Sequence, residues 1–328
     1  LKYLFAGAGA VGAYMGAKMS LAGEDVTLFA RGPHLHMMQQ RGVRIFSAED
    51  GEYQAHPRII ENLADAGPVD VIFLGVKAHS LGQLVPQVLP LLGKDTCIVS
   101  TENGIPWWYF QLGQSPEFAN IRLERSDPGG AVGAAIDPHR VVGSLIYFAT
   151  EIAEPGVIRH NAGNRVSLGE PDGKKTERIQ AISAALTKAG FKAPVTTRIH
   201  TEIWVKILGN IAFNPLSALT RATIVQMTSD PGMRALVRTL MGEVETLTGK
   251  LKIEMPISID KRIAGAEKMG EHKTSMLQDL EAGRRLELEP VVGAVLELAE
   301  KLDVPMPNLQ AIYSCTHLLA TVARNRPA

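Results

Sequence analysis

Lys206, Asn210 and Asn214 recur every four residues in the stretch TEIWVKILGNIAFNPLSALT, residues 201–220. Four residues advance an α-helix by slightly more than one turn, so these polar groups lie along one narrow, slowly drifting stripe. Around them, Trp204, Val205, Ile207, Leu208, Ile211, Ala212 and Phe213 belong in a core. Asparagine is a poor helix former because its amide competes for backbone partners, whereas solvated faces favour Glu, Lys, Gln and Arg. Two asparagines and Gly209 in one helix therefore sacrifice propensity. The residue types suit a buried polar ligand: each amide offers donor and acceptor, and a lone lysine can donate a proton or stabilise an oxyanion. A solvated stripe or a satisfied structural network is the plainer alternative. A second segment, TSMLQDLEAGRRLELEPVVGAVLELA, offers Ser275, which could bind a carboxylate. It also offers Glu287, between a Gly-Arg-Arg break and a new helix, where a carboxylate equally favours the helix dipole.

Chemistry of another kind is written at the start of the chain. Gly7, Gly9 and Gly12, with Ala10 and Val11 between the last two, fit G-x-G-x-x-G between a predicted strand and a predicted helix. Gly7 permits the tight turn, Gly9 lets backbone approach a pyrophosphate, and Gly12 lets helix pack on strand. The helix N-terminus supplies free N–H groups and positive dipole to the phosphates. An NAD site usually places Asp or Glu at the end of the second strand, about 20 residues on. Here that strand ends Phe29-Ala30-Arg31, and a cation there suits the 2′-phosphate of NADPH; the alternative is a solvated loop arginine. Lys77 follows VIFLGV, and Asn103-Gly104 follows CIVSTE, so both stand at strand ends, where open α/β sheets form their ligand crevice. Lys77 could reach cofactor or substrate and Asn103 the nicotinamide end, or both could be exposed loop residues.

The elements that must position these groups divide the chain in two. KYLFAGA, DVTLFAR, VDVIFLGVK and TCIVST are continuous apolar runs of strand length, and VGAYMGAKMSLAG and HSLGQLVPQVLPLLG are helical between them. Buried strands alternating with helices predict an α/β fold with a Rossmann-type, doubly wound parallel sheet. Residues 141–170 predict shorter antiparallel strands at the sheet edge, followed by a helix at TERIQAISAALTKAG and a last strand at FKAPVTT. From about residue 198 only helical periods remain, with Pro, Gly and Asp at the breaks. We therefore expect a nucleotide-binding domain over 1–197 and an all-helical domain over 198–328 that carries substrate and catalysis.

Composition removes other classes. A chain of 328 residues exceeds one typical core. Its 34 basic and 34 acidic residues create no field for nucleic acid. No apolar run reaches about 18 residues, so no membrane span is expected. Cys97 and Cys315 form no disulfide or metal pattern, and the histidines, including His34 and His36, lack partners at ligand spacing; no metal is expected. With the first strand opening the sequence, no signal peptide is expected, and cytoplasm is the expected location. An apolar helix face could serve a core or a homodimer interface equally.

Together these stretches resemble the ketopantoate reductases (2-dehydropantoate 2-reductases), NADPH-dependent enzymes of pantothenate synthesis. GAGAVGAYMGAKMSLAGEDVTLFAR, VIFLGVKAHSL, ENG, WVKILGNIAFNPLSALT and SMLQDLEAGRRLELE carry the resemblance over nearly the whole chain. The Lys-x3-Asn-x3-Asn helix and the Ser-Met-Leu-Gln-Asp segment are more specific than the glycine turn. The resemblance implies a helical domain like those of the 6-phosphogluconate dehydrogenase group. It implies Lys206 as the catalytic lysine that polarises and protonates the ketone oxygen, and Glu287 as the acid near the reacting hydroxyl. Asn210, Asn214 and Ser275 match substrate-binding positions, Lys77 and Asn103 the cofactor–substrate junction, and the glycines with Arg31 the NADPH site. The implied reaction is hydride transfer from nicotinamide to the 2-keto carbon of a small keto acid.

Three departures stand out. IPWWYFQLGQSPEFANIRLERSDPGG follows Asn103-Gly104 where the family commonly has a short turn, bringing Trp107, Trp108 and Tyr109 close in sequence. They serve either local packing of an inserted helix or the pocket. Ser80 stands where Gln is frequent, and Glu289 where Asp is common. The same chemistry on a different 2-keto acid is therefore one alternative. A non-catalytic NADPH-binding sensor is another, though it would need the glycines and Arg31 but neither Lys206 nor Glu287.

Overall fold

The computed structural model of the chain describes residues 1–268 and 270–324. They form two compact units. The first contains Leu1–Glu102, Trp107–Asn120 and Gly129–Ile199. The second contains the chain from His200 onward and borrows two short segments from the other half, Asn103–Pro106 and Ile121–Pro128.

The first unit is built on a nine-stranded sheet. Its strands are β1 (Lys2–Ala6), β2 (Asp25–Phe29), β3 (Val43–Ser47), β4 (Gly51–Ala55), β5 (Arg58–Ile60), β6 (Val71–Leu74), β7 (Cys97–Ser100), β8 (Val141–Glu154) and β9 (Val157–Gly169), in spatial order β4-β3-β9-β8-β7-β6-β1-β2-β5. From β5 to β8 every pairing is parallel. That run has the doubly wound order, and its direction of winding reverses between β1 and β6. Strands β6 and β7 are buried at every residue, as their unbroken apolar runs require. Phe5 of β1 stacks on Phe73 of β6 with ring centroids 4.5 Å apart. The first helix, Ala10–Leu21, buries Gly12 through Ala17 and Met19 on this layer, and each fully buried large side chain contributes roughly 1.5–3 kcal/mol.

The sheet corrects three expectations. Residues 141–170 pair antiparallel, but as two long strands of 14 and 13 residues, and they lie inside the sheet. Strands β3 and β4 extend it beyond them and supply the edge. FKAPVTT forms only isolated bridges, Arg165 to Lys192 and Leu168 to Val195.

In the second unit the described elements are all helical. Ile199–Thr220 runs for 22 residues, followed by Ile224–Ser229, Pro231–Lys250, Ile259–Glu267, Ser275–Glu281, Ala294–Lys301 and Pro307–Arg324. Side-chain caps mark their starts: Thr223 forms a capping box with Gln226, Asp230 precedes Pro231 and accepts from Met233 N, and Ser258 and Thr274 cap the next two. One turn of π-helix, Glu289–Gly293, precedes Ala294–Lys301. No described helix is long and apolar enough to cross a membrane.

Candidate active site

In the first unit the glycine turn leaves β1 and enters the first helix at the winding reversal. Its backbone is tied down by Gly7 N donating to Phe5 O at 2.9 Å and Ala8 N to Phe29 O at 2.7 Å. Gly7 has φ +120°, a conformation that side chains resist. A Cβ on Gly12 or on Gly75, just past β6, would run into the carbonyl oxygen of Gly7. These three glycines are explained by packing among themselves. Gly9 is different: its φ of −71° suits any residue, and its nearest neighbour to a Cβ would be Gly75 O at 3.9 Å. Among the described residues, no packing contact demands glycine there. No described N-cap side chain covers the helix that starts at Ala10, so its first N–H groups, including those of Ala10 and Val11, gain no side-chain acceptor from it.

A cavity of about 310 Å³ opens beside this turn. Gly7, Ala8 and Gly9 line one side, and Phe29, Ala30 and Arg31 line the end of β2. Arg31 is exposed, its guanidinium 5.2 Å from the Phe29 ring centroid. His34, Ser80 and Gln83 complete the polar lining, and no carboxylate is among the lining residues. His34 Nδ1 accepts from Gly156 N at 2.9 Å, and burial lowers its pKa, so the ring is neutral. The sequence discounts His34 for lack of partners at ligand spacing and singles out neither Gln83 nor Gly75, which stands inside the strand run VDVIFLGVK.

In the second unit the polar stripe is not a solvated face. Trp204, Leu208, Ile211 and Ala212 are fully buried, Lys206 and Asn210 are half-buried, and Asn214 is 6 % exposed. Burial of the Lys206 ammonium lowers its pKa to about 8, against the Glu287 carboxylate, whose charge raises it. An amine with that pKa can give and recover a proton near neutrality. Gly209 also acquires a reason: a Cβ there would overlap the guanidinium of Arg262, from the helix Ile259–Glu267. The glycine admits that arginine against the helix one turn beyond Lys206, a neighbour no spacing could announce.

Glu287 is half-buried and meets Asn103, whose Nδ2 donates to Glu287 Oε2 at 3.3 Å. Asn103 reaches it because Gly104, at φ +89°, lies flat against the π turn; a Cβ there would collide with Pro290 O. The structure thus groups Lys206, Glu287 and Asn103. Asn214 stands further along the helix, where its backbone carbonyl accepts from Ser217 Oγ at 3.0 Å. Ser217 in turn pairs with Thr274 Oγ1, the cap of the helix that Ser275 begins. Ser275 itself is exposed. Lys77 is half-buried in the first unit, at the turn after β6 and Gly75. Trp107, Trp108, Tyr109 and Phe110 lie in turns rather than a helix and are all buried. Trp108 Nε1 donates to Ser100 Oγ at 2.8 Å, and a Cβ on Gly143 would touch its ring at 2.7 Å. Trp108 is thus held by packing in the first unit.

Comparison with known proteins places this geometry. The family model described as ketopantoate reductase PanE/ApbA matches residues 3–173, and that of its C-terminal part matches 198–320. A 2-dehydropantoate 2-reductase of Mesorhizobium japonicum is 45% identical over 322 residues, 98% of each chain. A crystal structure of a candidate ketopantoate reductase from Ralstonia solanacearum MolK2 superposes with a TM-score of 0.92 at 33% identity, over 98% of each chain. A D-mandelate dehydrogenase solved with NADH and anilino(oxo)acetate has a TM-score of 0.84 at 21% identity, covering 98% of this chain and 99% of its own, a likeness of fold. With a Rossmann-type sheet, a helical second unit and matches along almost its whole length, the chain belongs to the ketopantoate reductase PanE/ApbA family.

Proposed function

We propose that this chain reduces 2-dehydropantoate to pantoate, with NADPH as the reductant. The observation that carries the reading is the desolvated Lys206 amine, with a pKa of about 8, beside Glu287 in a helix lined by Asn210 and Asn214. The full-length likeness to a 2-dehydropantoate 2-reductase supports the substrate.

The residues of the first unit fit a dinucleotide. Gly9 leaves open backbone, the uncapped helix offers N–H groups through Ala10, Val11 and Gly12, and the cavity admits a nucleoside. Arg31 on a lining without carboxylates suits the extra phosphate of NADPH, where an acid would have suited a ribose hydroxyl. When bound, the reduced nicotinamide supplies the hydride that adds to the 2-keto carbon. Lys206, protonated below about pH 8, hydrogen-bonds the keto oxygen and donates the proton that completes the alcohol. Glu287 keeps the lysine charged in its dry setting and, with Asn103, accepts and orients hydroxyl groups. Asn210, Asn214 and Ser275 hold the rest of the substrate, and Lys77 stands at the junction with the cofactor. Fixing donor and acceptor in near-attack geometry supplies much of the rate in such reactions.

A panel of 2-keto acids, assayed with NADPH and with NADH, tests the proposal. Rapid turnover of 2-dehydropantoate with a preference for NADPH is expected. Inert 2-dehydropantoate alongside rapid turnover of another keto acid would overturn the substrate, and equal use of NADH would overturn the cofactor.

A further inference from the structure

Glu287 sits just before a distorted turn of helix, and its carboxylate accepts from Asn103 Nδ2 at 3.3 Å. Its backbone carbonyl accepts from Val291 N at 3.3 Å, inside the π turn that begins two residues later. π turns are rare interruptions of an α-helix and recur at functional sites. This one is fixed from outside. Glu289, its first residue, has both carboxylate oxygens engaged: Tyr313 Oη donates to Oε1 at 2.8 Å, and Arg125 Nη1 donates to Oε2. Arg125 also donates to Tyr313 Oη, and its guanidinium lies 5.1 Å from that ring's centroid. Gly293, the last residue of the turn, makes the room, since a Cβ there would meet Arg125 Cδ and Glu289 Oε2 at 2.7 Å. The chain around Arg125 is itself anchored: Glu297 accepts from Glu124 N at 2.9 Å and Arg125 N at 3.0 Å, and Ser126 Oγ donates to Ile105 O at 2.6 Å. That last bond returns to the segment that carries Asn103.

Arg125 and Glu289 are 41 % and 35 % exposed, and ion pairs in such settings add little to stability. What the arrangement does is fix direction. We propose that Arg125, Glu289 and Tyr313 are positioning residues: they lock the π turn so that the Glu287 carboxylate is held on Lys206 and Asn103. The glutamate at 289 belongs to the device. Its extra methylene over aspartate lets one carboxylate span from Tyr313 to an arginine supplied by the segment Ile121–Pro128. The proposal rests on the catalytic reading of Lys206 given above.

Two readouts test it on the full chain. The first is the pH dependence of Lys206 acylation by a small amine-directed reagent, followed by peptide mapping; it needs no turnover. The second is kcat and KM in the keto acid assay. Arg125→Ala and Glu289→Gln should leave Glu287 less well aimed, so Lys206 becomes reactive at lower pH than in the unaltered chain. They should also lower kcat by up to about a hundredfold, the cost of a displacement near 1 Å, with a smaller change in KM. Arg125→Lys should recover part of both. Tyr313→Phe removes one hydroxyl and keeps the ring, and it decides the matter if the larger changes fail to fold. Variants with reduced thermal stability but an unmoved Lys206 titration would overturn the proposal. If the unaltered chain reduces no keto acid, the functional reading fails, while the acylation profile still decides whether the clamp holds Glu287.

Discussion

The glycine turn of the first unit and the lysine helix of the second are built from opposite materials. The turn works by omission: Gly7, Gly12 and Gly75 lack side chains so that backbones can touch, and Gly9 lacks one although no described residue would obstruct it. The lysine helix works by insertion, forcing Lys206, Asn210 and Asn214 into an apolar face and using burial to lower the amine to a pKa of about 8. A site made by omission is damaged by almost any added atom. A site made by insertion is damaged by loss of particular atoms.

The comparison breaks most readily at Lys206. Lys206→Ala should lower kcat by at least about a hundredfold, as expected when one acid or oxyanion donor is removed. NADPH affinity, measured by fluorescence titration, should hold; a near-normal kcat would move the proton donor elsewhere. Next comes a pair of glycines that look alike in sequence. Gly75→Ala should cost about 1–3 kcal/mol of stability through overpacking against Gly7, read by denaturant unfolding. Gly9→Ala should leave unfolding unchanged and weaken only the dinucleotide. Equal unfolding midpoints for the two variants would erase the distinction between packing glycine and ligand glycine. Arg31→Ala should weaken NADPH about tenfold or more, in line with one lost charge-assisted hydrogen bond, and NADH little. Equal losses would contradict the 2′-phosphate assignment.

The smallest effect is one of pH. Lys206 must be protonated to act as the acid, so kcat should fall as pH rises through about 8. The Glu287 charge raises that pKa, so Glu287→Gln should move the falling limb to lower pH. A limb that stays in place would detach Glu287 from the lysine.

What could be read in the residues follows the same division. The turn was legible because omission leaves a fixed local spacing, and the stripe because a helix repeats. Contacts made across long stretches of chain were not legible: Asn103 meets Glu287 over 184 positions, and Arg262 reaches Gly209 from another helix. Residues 141–170 misled for a local reason. Their Pro, Gly and Asn residues suggest short strands, yet the long hairpin keeps Gly143 and Gly163 and takes up its irregularity as shifts of register between Tyr147 and Ala149 and again further along. Gly163 has φ +80° and lies against Tyr147 O, so it belongs to such a shift rather than to a strand end.

The second unit takes Asn103–Pro106 and Ile121–Pro128 from the earlier half of the chain. The unit is therefore not contiguous in sequence. A gene fragment beginning at His200 would encode Lys206 and Glu287 without Asn103, Gly104 or Arg125. During synthesis the borrowed segments leave the ribosome long before the helices that receive them. Recombination that exchanged the helical half between relatives would cut through the surroundings of Glu287, and would succeed only where those few early residues travelled with it.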